Sequence, residues 1–154
     1  HGIEMLSVAE IMTREPYTLG PDDTLADARR LMNAHHIRHI PVVSAEHTII
    51  GLVSHRDVLA ASDSTLESHR EDHAAVPLSA VMSSPVQTVD EHASLRGVAL
   101  HLQKQRMGCL PVTRDGALVG IITDSDFVAI AIHLMEQLEL VEPEESLDEV
   151  DEDF

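Results

Sequence analysis

Two stretches of this chain carry residue types suited to holding a sugar and a phosphate. GLVSHRD spans Gly51 to Asp57, and GIITDSD spans Gly120 to Asp126. Each reads as an apolar strand end, a hydroxyl residue, two variable positions and an acid. Ser54 with Asp57, and Thr123 with Asp126, have the spacing of a helix cap. There the hydroxyl serves a free N–H of the first turn and the acid faces the positive helix end, together worth about 1 kcal/mol. The same spacing permits a second chemistry. A helix start offers unpaired N–H groups and partial positive charge, which suit a phosphate. A carboxylate held there can accept from two vicinal ribose hydroxyls, while the Ser or Thr hydroxyl donates to phosphate. Acid and phosphate coexist only when the acid faces the sugar. A cap and a ligand site are therefore compatible readings of the same residues.

The elements that position these residues are written twice. Ala9 to Thr13 matches Ser79 to Ser83 at an offset of 70, as do Thr18 and Thr88, Thr24-Leu25 and Ser94-Leu95, and Ile40-Pro41-Val42 and Leu110-Pro111-Val112. Beyond Pro111 the offset falls to 69, so Gly51, Ser54 and Asp57 meet Gly120, Thr123 and Asp126. A one-residue slip belongs in a turn, where SAEHT (Ser44 to Thr48) faces the shorter RDGA (Arg114 to Ala117), whose Asp-Gly signals a hairpin. Each unit predicts a short strand (around Tyr17 to Leu19, or Val86 to Thr88) and a helix capped by Thr24 or Ser94. That helix buries Leu25, Ala28, Leu31 and Met32, or Leu95, Val98 and Leu102. Two apolar strands covered on both faces follow, then a helix from Asp57 or Asp126. The expected fold class is α+β: two β-α-β-β-α repeats packed sheet to sheet with pseudo-two-fold symmetry. The expected divisions are 6–62 and 78–140 for the repeats, 63–77 for a polar linker and 141–154 for an acidic tail expected to be disordered. A unit this small has little core of its own, so two must share one.

Composition removes several functions. Of a net charge of −17, ten acids with no base lie in Glu136 to Asp153, which leaves −7 on the rest. An acidic body excludes nucleic-acid binding driven by phosphate neutralisation. No apolar run approaches the roughly 20 residues that span a bilayer, and no secretory segment is present, so the expected location is cytoplasmic. Met5 reads as a natural start, which keeps His1 to Glu4 out of the fold argument. The lone Cys109 excludes an internal disulfide and reads as small buried filler. His35, His36 and His39 lie close together but lack carboxylate or cysteine ligand spacing, so no metal site is expected. Met12, Met32 and Met82 stand at packing positions. With no nucleophile beside a base, no P-loop and no acid pair outside the caps, no enzyme activity is expected and no cofactor is required.

The ordered series Met-Thr/Ser, Thr, Pro-Val and Gly-x-x-Ser/Thr-x-x-Asp, present twice about 70 residues apart, resembles a tandem pair of cystathionine-β-synthase (CBS) domains, or Bateman module, over Leu6 to Leu140. No single piece is specific; the order and the duplication are. The resemblance implies a regulatory module that binds AMP, ADP, ATP or S-adenosylmethionine between the repeats, and a homodimer forming a flat disc of four repeats. It also implies that the segment before the proline of one repeat faces the closing helix of the other. Arg38 and His39 would then approach Thr123, Ser125 and Asp126, with Thr13, Pro16 and Thr18 on the adenine side. The counterpart cleft would join Ser54, Arg56 and Asp57 to Ser83, Val86, Thr88, Gly108 and Cys109. Because Arg38 and His39 supply cation character that Gly108 and Cys109 lack, the Thr123/Asp126 cleft is expected to be the better phosphate binder. The competing function is a structural or interaction module with empty clefts, whose effector partner the sequence does not name.

Overall fold

The first helix of each repeat begins where its hydroxyl residue stands. Thr24 Oγ1 accepts from the Asp27 N–H at 3.2 Å, and Ser94 Oγ from the Gly97 N–H at 3.1 Å. These caps open α1 (Leu25–His35) and α3 (Leu95–Gln105). Both helices stop at a left-handed residue, His36 and Arg106. The computed structural model describes residues 6–63 and 74–141, so most of the expected linker and all but the first residue of the expected tail lie outside the described residues. The apolar faces turn inward as the spacing demands: Leu25, Ala28 and Met32 are buried in α1, and Leu95, Val98 and Leu102 in α3. Leu31 is only half-buried.

A hairpin follows each helix: β2 (His39–Val43) with β3 (Ile49–Ser54), and β5 (Cys109–Arg114) with β6 (Ala117–Thr123). Asp115 and Gly116 both adopt positive φ, 52° and 87°, which makes the tight turn between β5 and β6. Bulges fall at matching places, Val42/Val43 and Val112/Thr113. Ile40, Pro41 and Val42 are buried in succession, as are Cys109 to Val112, so β2 and β5 are covered on both faces. In β3 the burial alternates, with only Gly51 and Val53 fully enclosed, so the expectation of two covered faces fails there.

Two further expectations shift. The opening strand of repeat 1 shrinks to a single parallel bridge, Leu19 to Val42. In repeat 2 it is β4 (Val89–Asp90), parallel to β5 and just beyond Val86 to Thr88. The cause is an exchange of leading segments, because the residues before each opening strand must travel back from the other repeat. The closing helices α2 (His55–Asp63) and α4 (Asp124–Val141) start two residues earlier than Asp57 and Asp126. That places each acid at the third helical position, where a capping box requires it.

The exchange is reciprocal. Residues 6–14 leave their own repeat and enter the core of the second. The Val8 N–H donates to the Ala93 carbonyl at 2.9 Å, the Leu95 N–H to Leu6 at 2.8 Å, and β1 (Thr13–Arg14) pairs antiparallel with β6. The strand order of that sheet is therefore β1-β6-β5-β4. Val8 and Met12 pack with Leu95, Val98, Leu102, Leu110, Val112 and Ile122. In return the Leu25 N–H donates to Val76 at 2.9 Å and the Leu78 N–H to Asp23 at 2.8 Å, while Ser83 and Leu52 exchange two backbone bonds. Leu78 is wholly buried among Leu25, Ala28, Ile40 and Val53 of the first core. Two glycines make the crossings possible. A Cβ at Gly120 would sit 2.4 Å from the Met12 sulfur, and one at Gly51 would sit 2.2 Å from that of Met82.

Candidate functional site

Both closing helices carry the caps that the hydroxyl and acid predict. The Ser54 N–H donates to Asp57 Oδ2 at 2.8 Å, and the Thr123 N–H to Asp126 Oδ2 at 2.8 Å. At α2 the return bond is also made, from the Asp57 N–H to Ser54 Oγ at 3.1 Å. At α4 it is not. Instead Thr123 Oγ1 donates to Asp126 Oδ2 at 3.5 Å. In each acid Oδ1 has no hydrogen-bond partner among the described residues, so a second acceptor remains available.

The exchanged arms bring predicted residues to these mouths from the opposite repeat. Thr13 pairs with Ile121, two positions before Thr123, and Ser83 bridges to Leu52, two positions before Ser54. Thr13 and Ser83 are both exposed beside the strand ends. Pro16 and Val86 follow on the arms, half-buried, and Thr88 is exposed. Thr18 lines a different concavity, a hollow of about 550 Å³ bounded by Gly20 to Asp23, Val43 to Ala45 and Ile50 of its own repeat. A second groove of about 410 Å³ runs between α3 and α4 and reaches the α4 mouth only at Asp124. Neither concavity coincides with a mouth.

The segments before the prolines meet near the pseudo-two-fold axis. The Arg38 carbonyl accepts from the His55 N–H at 2.7 Å, and the Gly108 carbonyl from the Asp124 N–H at 3.0 Å, one relation in both repeats. The His39 ring crosses into repeat 2. A side chain at Gly108 would begin 3.6 Å from its Cε1, 3.7 Å from its Nε2 and 3.7 Å from Asp124 Oδ2. Burial pulls the His39 pKa below its ordinary value; Asp124 and Asp57 oppose the shift and Arg38 reinforces it. Arg38, Arg56 and Ser125 are exposed at the mouths. Cys109 is 3% exposed, so its thiol is not available to a ligand. Burial, with the charges of Asp124 and Asp126, pushes its thiol up to about 12.

Two contributors escaped the sequence reading. Asp124 occupies the place of His55 in the other repeat, and the offset of 69 was the signal that pairs them. The Tyr17 ring stacks on His35 with centroids 3.9 Å apart, tying the first arm to α1. No spacing rule announces that contact.

Duplicated β-α-β-β-α units with exchanged leading segments and two related helix starts define a tandem two-domain architecture. The CBS-domain model matches residues 8–64 and 78–133, more than half of the chain, and the protein belongs to the CBS-domain family as a tandem pair. An uncharacterized 33.4 kDa protein in a ribosomal RNA operon of Thermofilum pendens is 37% identical over 130 residues, which cover 79% of this chain and 42% of that protein. The chain thus spans less than half of that relative. A Vibrio cholerae crystal structure described as the acetoin utilization protein AcuB is 46% identical, with a TM-score of 0.78, covering 88% of this chain and 97% of the other. The crystal structure of CBSX2 in complex with AMP is 25% identical, with a TM-score of 0.72 and coverage of 84% and 98%.

Proposed function

We propose that this CBS pair is a regulatory module that binds an adenosine-containing ligand, AMP, ADP, ATP or S-adenosylmethionine, at the mouths of α2 and α4. One observation carries the reading: each capped acid at a helix start keeps an oxygen with no hydrogen-bond partner among the described residues, with an arm of the opposite repeat alongside. Asp126 and Asp57 would accept from the ribose, and Thr123 and Ser54 would face the phosphate. Thr13, Pro16, Ser83, Val86 and Thr88 would approach the base; Thr18, turned to the hollow of its own repeat, would not. Arg38 and His39 favour the α4 mouth for phosphate, through cation character that Gly108 and Cys109 lack at the other. CBSX2, a relative of similar shape, was crystallised with AMP. The test is thermal stabilisation of the full chain by AMP, ADP, ATP and S-adenosylmethionine. Stabilisation of several degrees by at least one of them is expected, and none at millimolar concentration sinks the reading.

We infer further that two copies associate through α4, whose outer surface exposes Val128, Ile132, Met135 and Leu138. Light scattering should report a dimer, and Ile132→Glu a monomer.

A further inference from the structure

The groups around His39 come from three elements, and their charges do not cancel. Asp124 heads α4, Asp57 lies in the first turn of α2, and Arg38 stands just before His39, the first residue of β2. Cys109, at the start of β5, stays a neutral thiol at physiological pH. The His39 ring and Asp124 Oδ2 both lie within 3.7 Å of the place a Gly108 Cβ would take, so they flank the same small space, yet no ion pair joins the two among the described residues. A neutral ring therefore leaves Asp124 without an ion-pair partner among the described residues, at a helix end whose partial positive charge otherwise invites an anion.

We propose that His39 and Asp124 form a charge-sensing pair across the repeats, so that a phosphate-bearing adenosyl ligand enters the α4 mouth with one proton taken up on His39, while an uncharged one enters without. The inference rests on the adenosyl-binding reading above. The proton comes from the buffer and remains on the ring, and no bond to the ligand forms or breaks. A phosphate dianion beside the ring favours the imidazolium, which then offsets Asp124. Adenosine brings no charge and gives the ring no reason to change. The pair would make affinity for AMP, but not for adenosine, depend on pH.

Calorimetric titration of the full chain at pH 7.0, in buffers of low and high ionisation enthalpy, reads the proton directly. AMP is expected to bind with uptake approaching one proton and adenosine with none. Above pH 7, where AMP is already the dianion (second phosphate pKa about 6), AMP affinity should fall toward about tenfold per pH unit while that of adenosine stays flat. His39→Gln should abolish the uptake, and Asp124→Asn should raise AMP affinity several-fold at pH 8; unchanged melting cooperativity shows that each variant is folded. AMP binding to the wild-type chain without uptake overturns the proposal, as does uptake that persists in His39→Gln, which would put the proton on the phosphate. Adenosine binding without AMP binding also overturns it while sparing the adenosyl reading. If neither ligand binds at millimolar concentration, both fall.

Discussion

Replacing the two crossing glycines by alanine should produce unequal damage, although the sequence presents them as equivalents. At Gly51 the three atoms nearest the new methyl would all belong to the Met82 side chain, with its sulfur at 2.2 Å, Cγ at 2.7 Å and Cβ at 3.1 Å. Met82 is half-buried and flexible, so its thioether can swing aside at a cost near the lower end of the overpacking range, about 1 kcal/mol. Against this stands a gain of about 0.5 kcal/mol from stiffening the unfolded chain, since neither glycine has positive φ. At Gly120 the methyl would meet the Met12 sulfur at 2.4 Å, its Cγ at 2.9 Å and the Thr13 carbonyl oxygen at 2.9 Å. Met12 is only 6% exposed and has nowhere to go. The Thr13 carbonyl is backbone within the β1–β6 pairing, so relief there also strains hydrogen bonds worth about 1 kcal/mol each. The expected losses are about 0.5 kcal/mol for Gly51→Ala and about 3 kcal/mol for Gly120→Ala. Urea unfolding at 25 °C measures both. Met82→Ala should rescue Gly51→Ala almost completely, whereas Met12→Ala should rescue Gly120→Ala only in part, because the carbonyl clash persists. Equal losses, or the reverse order, would refute the arm-crossing argument.

Removing either cap acid should cost stability in its own right: Asp57→Ala and Asp126→Ala are each expected to lose about 1 kcal/mol in urea unfolding. No change in either would reject the capping geometry. Acid should weaken the fold partly through His39. Its folded pKa is depressed, so the unfolded chain binds more protons between that value and about 6.5; this contribution is complete above 6.5 and declines as the pH drops below it. Between pH 7.5 and 5.5 the wild-type urea midpoint should therefore fall further than that of His39→Gln. Cys109 should resist Ellman's reagent at pH 8 until the chain unfolds, because its thiol is enclosed and pushed up to about 12. Rapid labelling of the native protein would contradict its burial.

Much of this was readable from residue order because the signals were local. Thr24, Ser94 and the Asp115-Gly116 turn each act within four residues, and each produces the cap or turn its chemistry dictates. The repeated Ser54/Asp57 and Thr123/Asp126 spacing likewise specified two helix starts, displaced by two residues because the acid belongs at the third position. What stayed hidden depends on contacts between distant segments. Nothing in Leu6 to Arg14 says that its apolar residues fill the other repeat's core, since amphipathic spacing reports that a face is buried and not against what. Glu91 is a similar case. It is 4% exposed and paired with Arg114, whose guanidinium holds its carboxyl below the ordinary value, yet the two are far apart in sequence. The place of Thr18 also depended on packing, which turned it toward a hollow in its own repeat.

The exchange of leading segments means that neither half of this polypeptide is a self-sufficient folding piece. A fragment ending at 63 would carry Val8 and Met12 with no pocket to receive them, while its own pocket would lack Leu78. Two such fragments could complete one another only by trading ends, so the intact chain is a swapped dimer made permanent by fusion. Any molecule that tugs on one arm at a helix mouth therefore pulls on the opposite interior as well, and the halves must answer together.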